Sequence, residues 1–221
     1  MSLWIKICGN TSLEDAKLAA DAGADAVGFV FAPSPRRVMR EQVAAIVPLL
    51  PSSLDKIGVF VDATLDEIAA TVVACGLTGV QLHWQAPREL TAALRTRFGP
   101  QLRILRVVHF TAAAPEPALV QAQDENADAI LVDSRTATTA GGTGQSYDWD
   151  LAGKTLFQDM KERRLVAAGG LTPDNVAEAI SALRPWGVDT VSGVEAAPGR
   201  KDAAKVREFV KTARAASAAA N

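Results

Sequence analysis

Cysteine is scarce. Only Cys8 and Cys75 occur in 221 residues, which gives neither a disulfide framework nor a zinc-ligand spacing. Long apolar runs are missing as well. No stretch approaches the ~20 residues that a spanning helix needs, and the run Val43 to Leu50 already contains Pro48. There is no surplus of positive charge: 23 Lys+Arg stand against 25 Asp+Glu, a net charge of −2. Such a balance supplies no sustained field for nucleic acid, so neither nucleic acid nor membrane is an expected partner. Lys6 and Cys8 fall where a signal peptide would carry its apolar region, and a cytoplasmic location is expected. What the chain has is core material, 48% apolar against 22% charged, the balance of a soluble globular domain. One domain over residues 1–221 is expected, with the Ala-rich end from Ala215 to Asn221 frayed.

Strand-length apolar runs recur from end to end: Trp4 to Cys8, Ala26 to Phe31, Lys56 to Val61, Gly79 to Leu82, Arg103 to Val108, Ala129 to Val132, Leu165 to Ala168 and Asp189 to Ser192. Several are apolar at consecutive positions, as buried parallel strands are. Helix signals lie between them. Ser12 is a candidate N-cap before Leu13, and Thr172-Pro173-Asp174-Asn175-Val176 opens a helix with Pro at its first position. The segments Ala22-Gly23-Ala24-Asp25, Glu125-Asn126-Ala127-Asp128 and Trp186-Gly187-Val188-Asp189 echo one another as a left-handed cap followed by a strand. An open doubly wound sheet and a closed barrel both accept this pattern. Eight units, and no G-x-G-x-x-G after the first strand, predict the (β/α)₈ TIM barrel of the α/β class.

In that fold, chemistry belongs at the C-terminal ends of strands. Gly169-Gly170 and Ser192-Gly193 follow strands seven and eight, where barrels often bind phosphate; alone, each pair also reads as a tight turn. Gly193 to Ala196 would form the short extra helix of such a site. Cys8 ends strand one before a glycine and reads either as a core thiol or as a base or nucleophile, with Lys6 on the same face able to favour the thiolate. Asp133, after four apolar residues, is a general acid–base candidate or a loop-capping carboxylate. His83 and His109 sit at the rim. No carboxylate cluster suggests a metal. Gly141 to Gly144 resembles a flap, through Gly142 and Gly144, or a flexible linker. Arg36, in a loop stiffened by Pro33 and Pro35, is suited to a substrate carboxylate or to solvent.

Together these segments resemble phosphoribosylanthranilate isomerases, (β/α)₈ enzymes of tryptophan biosynthesis. The resemblance runs nearly the whole chain, through Lys6-Ile7-Cys8-Gly9, Ser34-Pro35-Arg36, Gln81-Leu82-His83, Val132-Asp133-Ser134, Gly141-Gly142-Thr143-Gly144, Gly169-Gly170-Leu171 and Ser192-Gly193-Val194-Glu195. It implies an Amadori rearrangement of N-(5′-phosphoribosyl)anthranilate, a small-molecule substrate, without metal or organic cofactor, by a monomer or a homodimer. By position, Asp133 matches the general acid, Cys8 the base, and Arg36 the residue near the anthranilate carboxylate. His83 and Asp189 match substrate contacts; Gly169, Gly170, Ser192 and Gly193 match the phosphate turns. Three positions depart from the family pattern: Trp84 for a usual glycine, Val191 for a serine and Asp62 for a frequent asparagine. Another phosphosugar barrel enzyme, such as an epimerase, and an inactive phosphate-binding barrel acting as an interaction module are the alternatives.

Overall fold

A computed structural model of the chain describes residues 2–83, 85–111, 116–133 and 148–219. Its strands are β1 (Trp4–Ile7), β2 (Ala26–Val30), β3 (Asp55–Phe60), β4 (Gly79–Leu82), β5 (Arg103–His109), β6 (Ala129–Asp133), β7 (Leu165–Ala167) and β8 (Gly187–Thr190). Between and after them come α1 (Leu13–Asp21), α2 (Arg40–Ile46), α3 (Leu65–Cys75), α4 (Arg88–Phe98), α5 (Glu116–Ala122), α6 (Trp149–Ala152), α7 (Val176–Leu183) and α8 (Ala203–Ala219). Neighbouring strands are parallel and β8 pairs back onto β1, so the sheet closes as the expected eight-stranded barrel.

Strand periodicity sorts the side chains into two cores. Trp4, Leu105, Val107, Ala129, Leu131, Val166 and Ala168 point inward and fill the barrel. Their neighbours Ile5, Ile7, Ile104, Val108, Ile130 and Val132 point outward beneath the helices, with Phe29, Leu94 and Phe209. Each large apolar side chain removed from water in this outer layer contributes ~1.5–3 kcal/mol of transfer free energy. At the N-terminal end of the barrel Trp4 and Trp186 stack at 5.2 Å, and Asp55 accepts hydrogen bonds from Trp4 Nε1 (3.2 Å) and Arg103 Nη1 (2.6 Å). That end is closed by packing, leaving the opposite end for chemistry.

Local signals hold at several junctions and fail at others. Ser12 caps α1 as expected, its side chain accepting from Asp15 N at 3.1 Å. Gly23 and Gly76 carry the left-handed turns that end α1 and α3. The Thr172–Asn175 stretch is different: α7 starts only at Val176, because Asn175 turns its side chain back to Thr172 N (2.8 Å) and Gly170 O (3.0 Å). Gly187 is no cap. It lies inside β8, where an added Cβ would meet Trp4 O at 2.7 Å, and Arg184 takes the left-handed position instead. The eighth strand therefore begins two residues earlier than its apolar run suggests and ends at Thr190. After it, Ser192–Val194 forms a single 3₁₀ turn, and Glu195–Ala197 (β9) pairs antiparallel with Arg200–Lys201 (β10) where a short helix from Gly193 to Ala196 was expected.

Candidate active site

Inward-facing residues of successive strands climb toward the open end, and several rows, those of β1, β4, β5 and β6, end there in a polar or titratable side chain. Trp4 leads through Lys6 to Cys8, and Leu131 leads to Asp133. Cys8 and Asp133 thereby line one cavity of about 640 Å³, within the ordinary range for a small-molecule site. Arg36, His83, Asp189, Gly169, Gly170, Ser192 and Gly193 line it too. Gly142 and Gly144, the expected flap, lie outside the described residues, as does Trp84.

The seat of Cys8 depends on a glycine. Gly28 faces it from β2, and a Cβ added there would overlap Cys8 Sγ. Asn10 fixes the same corner from beneath, donating through Nδ2 to Ile7 O (2.8 Å) and Gly28 O (3.2 Å). Below the thiol, Lys6 is fully buried and donates to Asp189 Oδ1 (2.8 Å) and Gln81 Oε1 (2.9 Å). β1–β8 register sets Lys6 directly beside Asp189.

Electrostatics of this corner run against one expectation. Burial pushes the Cys8 thiol above its usual value, and the nearby Asp189 adds to that rise; Lys6 and Lys201 offset it only in part. Lys6 thus favours the thiolate as expected, yet the net shift is upward because desolvation is the larger effect. Lys6 itself resists neutralisation. Burial would lower its pKa, but Asp189 and Cys8 outweigh that and hold it charged. Burial also lifts the Asp189 carboxyl, with Lys6 opposing and Asp133 assisting the rise.

The other groups divide between two walls. Gly169 and Gly170 adopt φ of 82° and 68°, left-handed values that disfavour any side chain, right after β7. Gly193 is required by closeness instead: its α-carbon abuts Leu171 O, so a Cβ has no room. Thr190 Oγ1 also donates to Leu171 O at 2.7 Å, so the turns after β7 and β8 lie side by side. His83 packs edge-on to His109 with ring centroids 5.6 Å apart. Asp62, two residues past β3, lines the cavity with a left-handed φ of 52°, a region that aspartate and asparagine enter more readily than other non-glycine residues.

Arg36 is less free than its loop position implies. Ser34 turns the loop, its Oγ accepting from Arg36 N at 3.1 Å. The guanidinium then grips Glu195 with two bonds, Nε to Oε1 (2.8 Å) and Nη2 to Oε2 (2.7 Å). The edge expected to meet a substrate carboxylate is therefore occupied by a protein carboxylate, and a ligand is left the Nη1 side. Lys201 is buried and donates to Cys8 O (2.6 Å), Val191 O (3.1 Å) and Glu195 Oε1 (3.4 Å). Sequence reasoning assigned no role to Gly28, Gln81, Glu195 or Lys201. Strand parity marks Gly28 and Gln81 as inward-facing; Glu195 falls within a segment of the family resemblance, but nothing local to it or to Lys201 points to the ion pairs they make. Among the described residues no group of three His, Cys, Asp or Glu side chains is arranged to hold a metal, and no helix is long and apolar enough to cross a membrane.

Residues 5–212 match the family model described as N-(5′-phosphoribosyl)anthranilate (PRA) isomerase. A curated relative of that name from Pelobacter propionicus is 44% identical over 211 residues, covering 95% of each chain. A crystal structure of phosphoribosyl anthranilate isomerase from Thermotoga maritima superposes with a TM-score of 0.85 at 38% identity, over 96% of this chain and 99% of that one. Another, solved in complex with reduced 1-(o-carboxyphenylamino)-1-deoxyribulose 5-phosphate, gives 0.82 at 35% identity, again over 96% and 99%. With a thiol and a carboxyl on the inner rim of the barrel and likeness along nearly its full length, the chain belongs to the N-(5′-phosphoribosyl)anthranilate isomerase family.

Proposed function

We propose that this chain isomerises N-(5′-phosphoribosyl)anthranilate to 1-(2-carboxyphenylamino)-1-deoxyribulose 5-phosphate, with Asp133 as general acid and Cys8 as base. The observation that carries this reading is one cavity lined by an acid, a thiol, the glycine turns after β7 and β8, and the Arg36 side chain. The glycine turns after β7 and β8 let backbone N–H groups approach a phosphate. Arg36 supplies a fixed positive charge for a carboxylate. The substrate carries one such anion at each end.

The reaction needs only proton transfers. Asp133 protonates the furanose ring oxygen, and the C1′–O bond breaks as the anilino nitrogen lone pair forms the Schiff base. Cys8 then removes the C2′ proton, and the electrons of that C–H bond neutralise the iminium to give an enolamine. Tautomerisation yields the ketone. Loss of substrate fluorescence on adding pure protein tests the assignment directly. A catalysed decay is expected, and it should persist after exhaustive chelation; no decay, or a rate rescued only by added metal, rejects it.

Arg36→Lys is expected to lower kcat/KM about tenfold or more although the charge is kept. An ammonium is a point charge on a flexible stem and lacks the planar fork that meets both Glu195 oxygens in line while a separate nitrogen faces the ligand. Steady-state kinetics indistinguishable from the parent would remove Arg36 from the carboxylate site.

A further inference from the structure

The grip of Glu195 on Arg36 joins two segments 159 residues apart and has no counterpart in the chemistry derived so far. Glu195 is itself held on several sides. Its side chain accepts from Gly199 N at 3.2 Å and from Lys201 Nζ, while its backbone carbonyl accepts from Lys205 Nζ at 3.0 Å. Lys201 in turn reaches the carbonyls of Cys8 and Val191, so the β9–β10 hairpin is fastened to the strand end that carries the thiol. The fit is close on the other face too. A Cβ on Gly9 would lie 2.8 Å from Arg36 Cδ, so the glycine after Cys8 forms the bed on which the arginine stem lies.

We propose that Glu195 is a positioning residue that sets Arg36 for the anthranilate carboxylate, with Lys201 tying the pair to the Cys8 strand end. The inference rests on the substrate reading above. A flexible arginine on a loop loses rotamer freedom when it binds a ligand; one already held by two bonds has little left to lose. Charge balance agrees. Arg36 and Lys201 together carry +2 against −1 on Glu195, so the cluster still presents a net positive charge to an anion. Both outer partners act on the carboxyl: burial alone would raise its pKa, but Arg36 and Lys201 bring it below the ordinary value, so it stays ionised.

The test compares two ligands by calorimetry: the reduced product analogue, and its counterpart lacking the aromatic carboxyl. Glu195→Gln is expected to weaken the first about tenfold and the second less than twofold, and to add nothing in an Arg36→Ala background. Equal weakening of both ligands would show that Glu195 merely supports the fold and would overturn the proposal. So would unchanged discrimination, or losses that add to those of Arg36→Ala. If Glu195→Gln does not fold, Glu195→Asp keeps the charge but is one methylene short of the fork. It should lose at least threefold in discrimination, and no loss overturns the proposal. Arg36→Ala separates the two ideas. Should it retain full discrimination, the carboxylate reading of Arg36 fails, whereas discrimination lost in Arg36→Ala but kept in Glu195→Gln refutes the positioning role alone.

Discussion

Cys8→Ala and Asp133→Asn are each expected to lower kcat by at least ~10²-fold, with much smaller effects on ligand affinity. The reaction needs a thiolate and a neutral carboxylic acid together. With ordinary pKa values of about 8.5 and 3.9, roughly 3% of thiols and about 0.1% of carboxyls are in those forms at pH 7. Burial moves Cys8 further from that requirement, since its thiol is pushed up. The free enzyme therefore holds its base as the neutral thiol, and activity on this limb rises with pH as thiolate forms. Cys8→Ser should not restore the rate, because an alcohol is a far poorer source of the anion. Single-turnover fluorescence, in which chemistry is observed directly, is the measurement. A Cys8→Ala enzyme with near-parent kcat would make the thiol a packing residue above Gly28 and end the mechanism proposed for it.

Lys6→Met is expected to act on both stability and pH dependence. Removing the ammonium leaves Asp189 buried without its ion partner, a loss of about 3–5 kcal/mol. For a domain of this size that corresponds to a fall in Tm of roughly 10 °C. The same change removes the largest influence that lowers the Cys8 pKa. Since the base must be deprotonated, a higher thiol pKa shifts the acid limb of kcat/KM toward higher pH. Adding Asp189→Asn should recover much of the stability by removing the orphaned charge. The limb should stay above that of the parent, because Lys6 acts on the thiol more strongly than Asp189 does. A limb that does not move in Lys6→Met would mean that the lysine serves the barrel core and not the base.

The barrel was legible in the chain because its causes are local. Apolar runs such as Ala26 to Phe31 suit strands covered on both faces, and the Ser12 and Gly23 signals bound α1 from within a few residues of sequence. Cys8 and Asp133 were legible for a related reason: once the fold is a parallel barrel, every strand end faces one mouth. Local signals misled where a tertiary contact was stronger. Gly187 looks like a cap but sits in β8 against Trp4, and Asn175 looks helical but closes a loop onto Gly170.

What sequence by itself determined is the alternation of strands and helices, hence the barrel and the row of polar residues at its rim. Tertiary structure alone decided how those residues are charged and held. Lys6 meets Asp189 across 183 residues, and the net direction of the Cys8 shift depends on the depth of burial that closure of the barrel imposes. Arg36 meets Glu195 across 159 residues, so a side chain that reads as free on a loop is already fixed by two bonds. Propensity and periodicity act over a turn or a strand. Desolvation and ion pairing act through space, between segments whose distance in sequence says nothing about their distance in the fold.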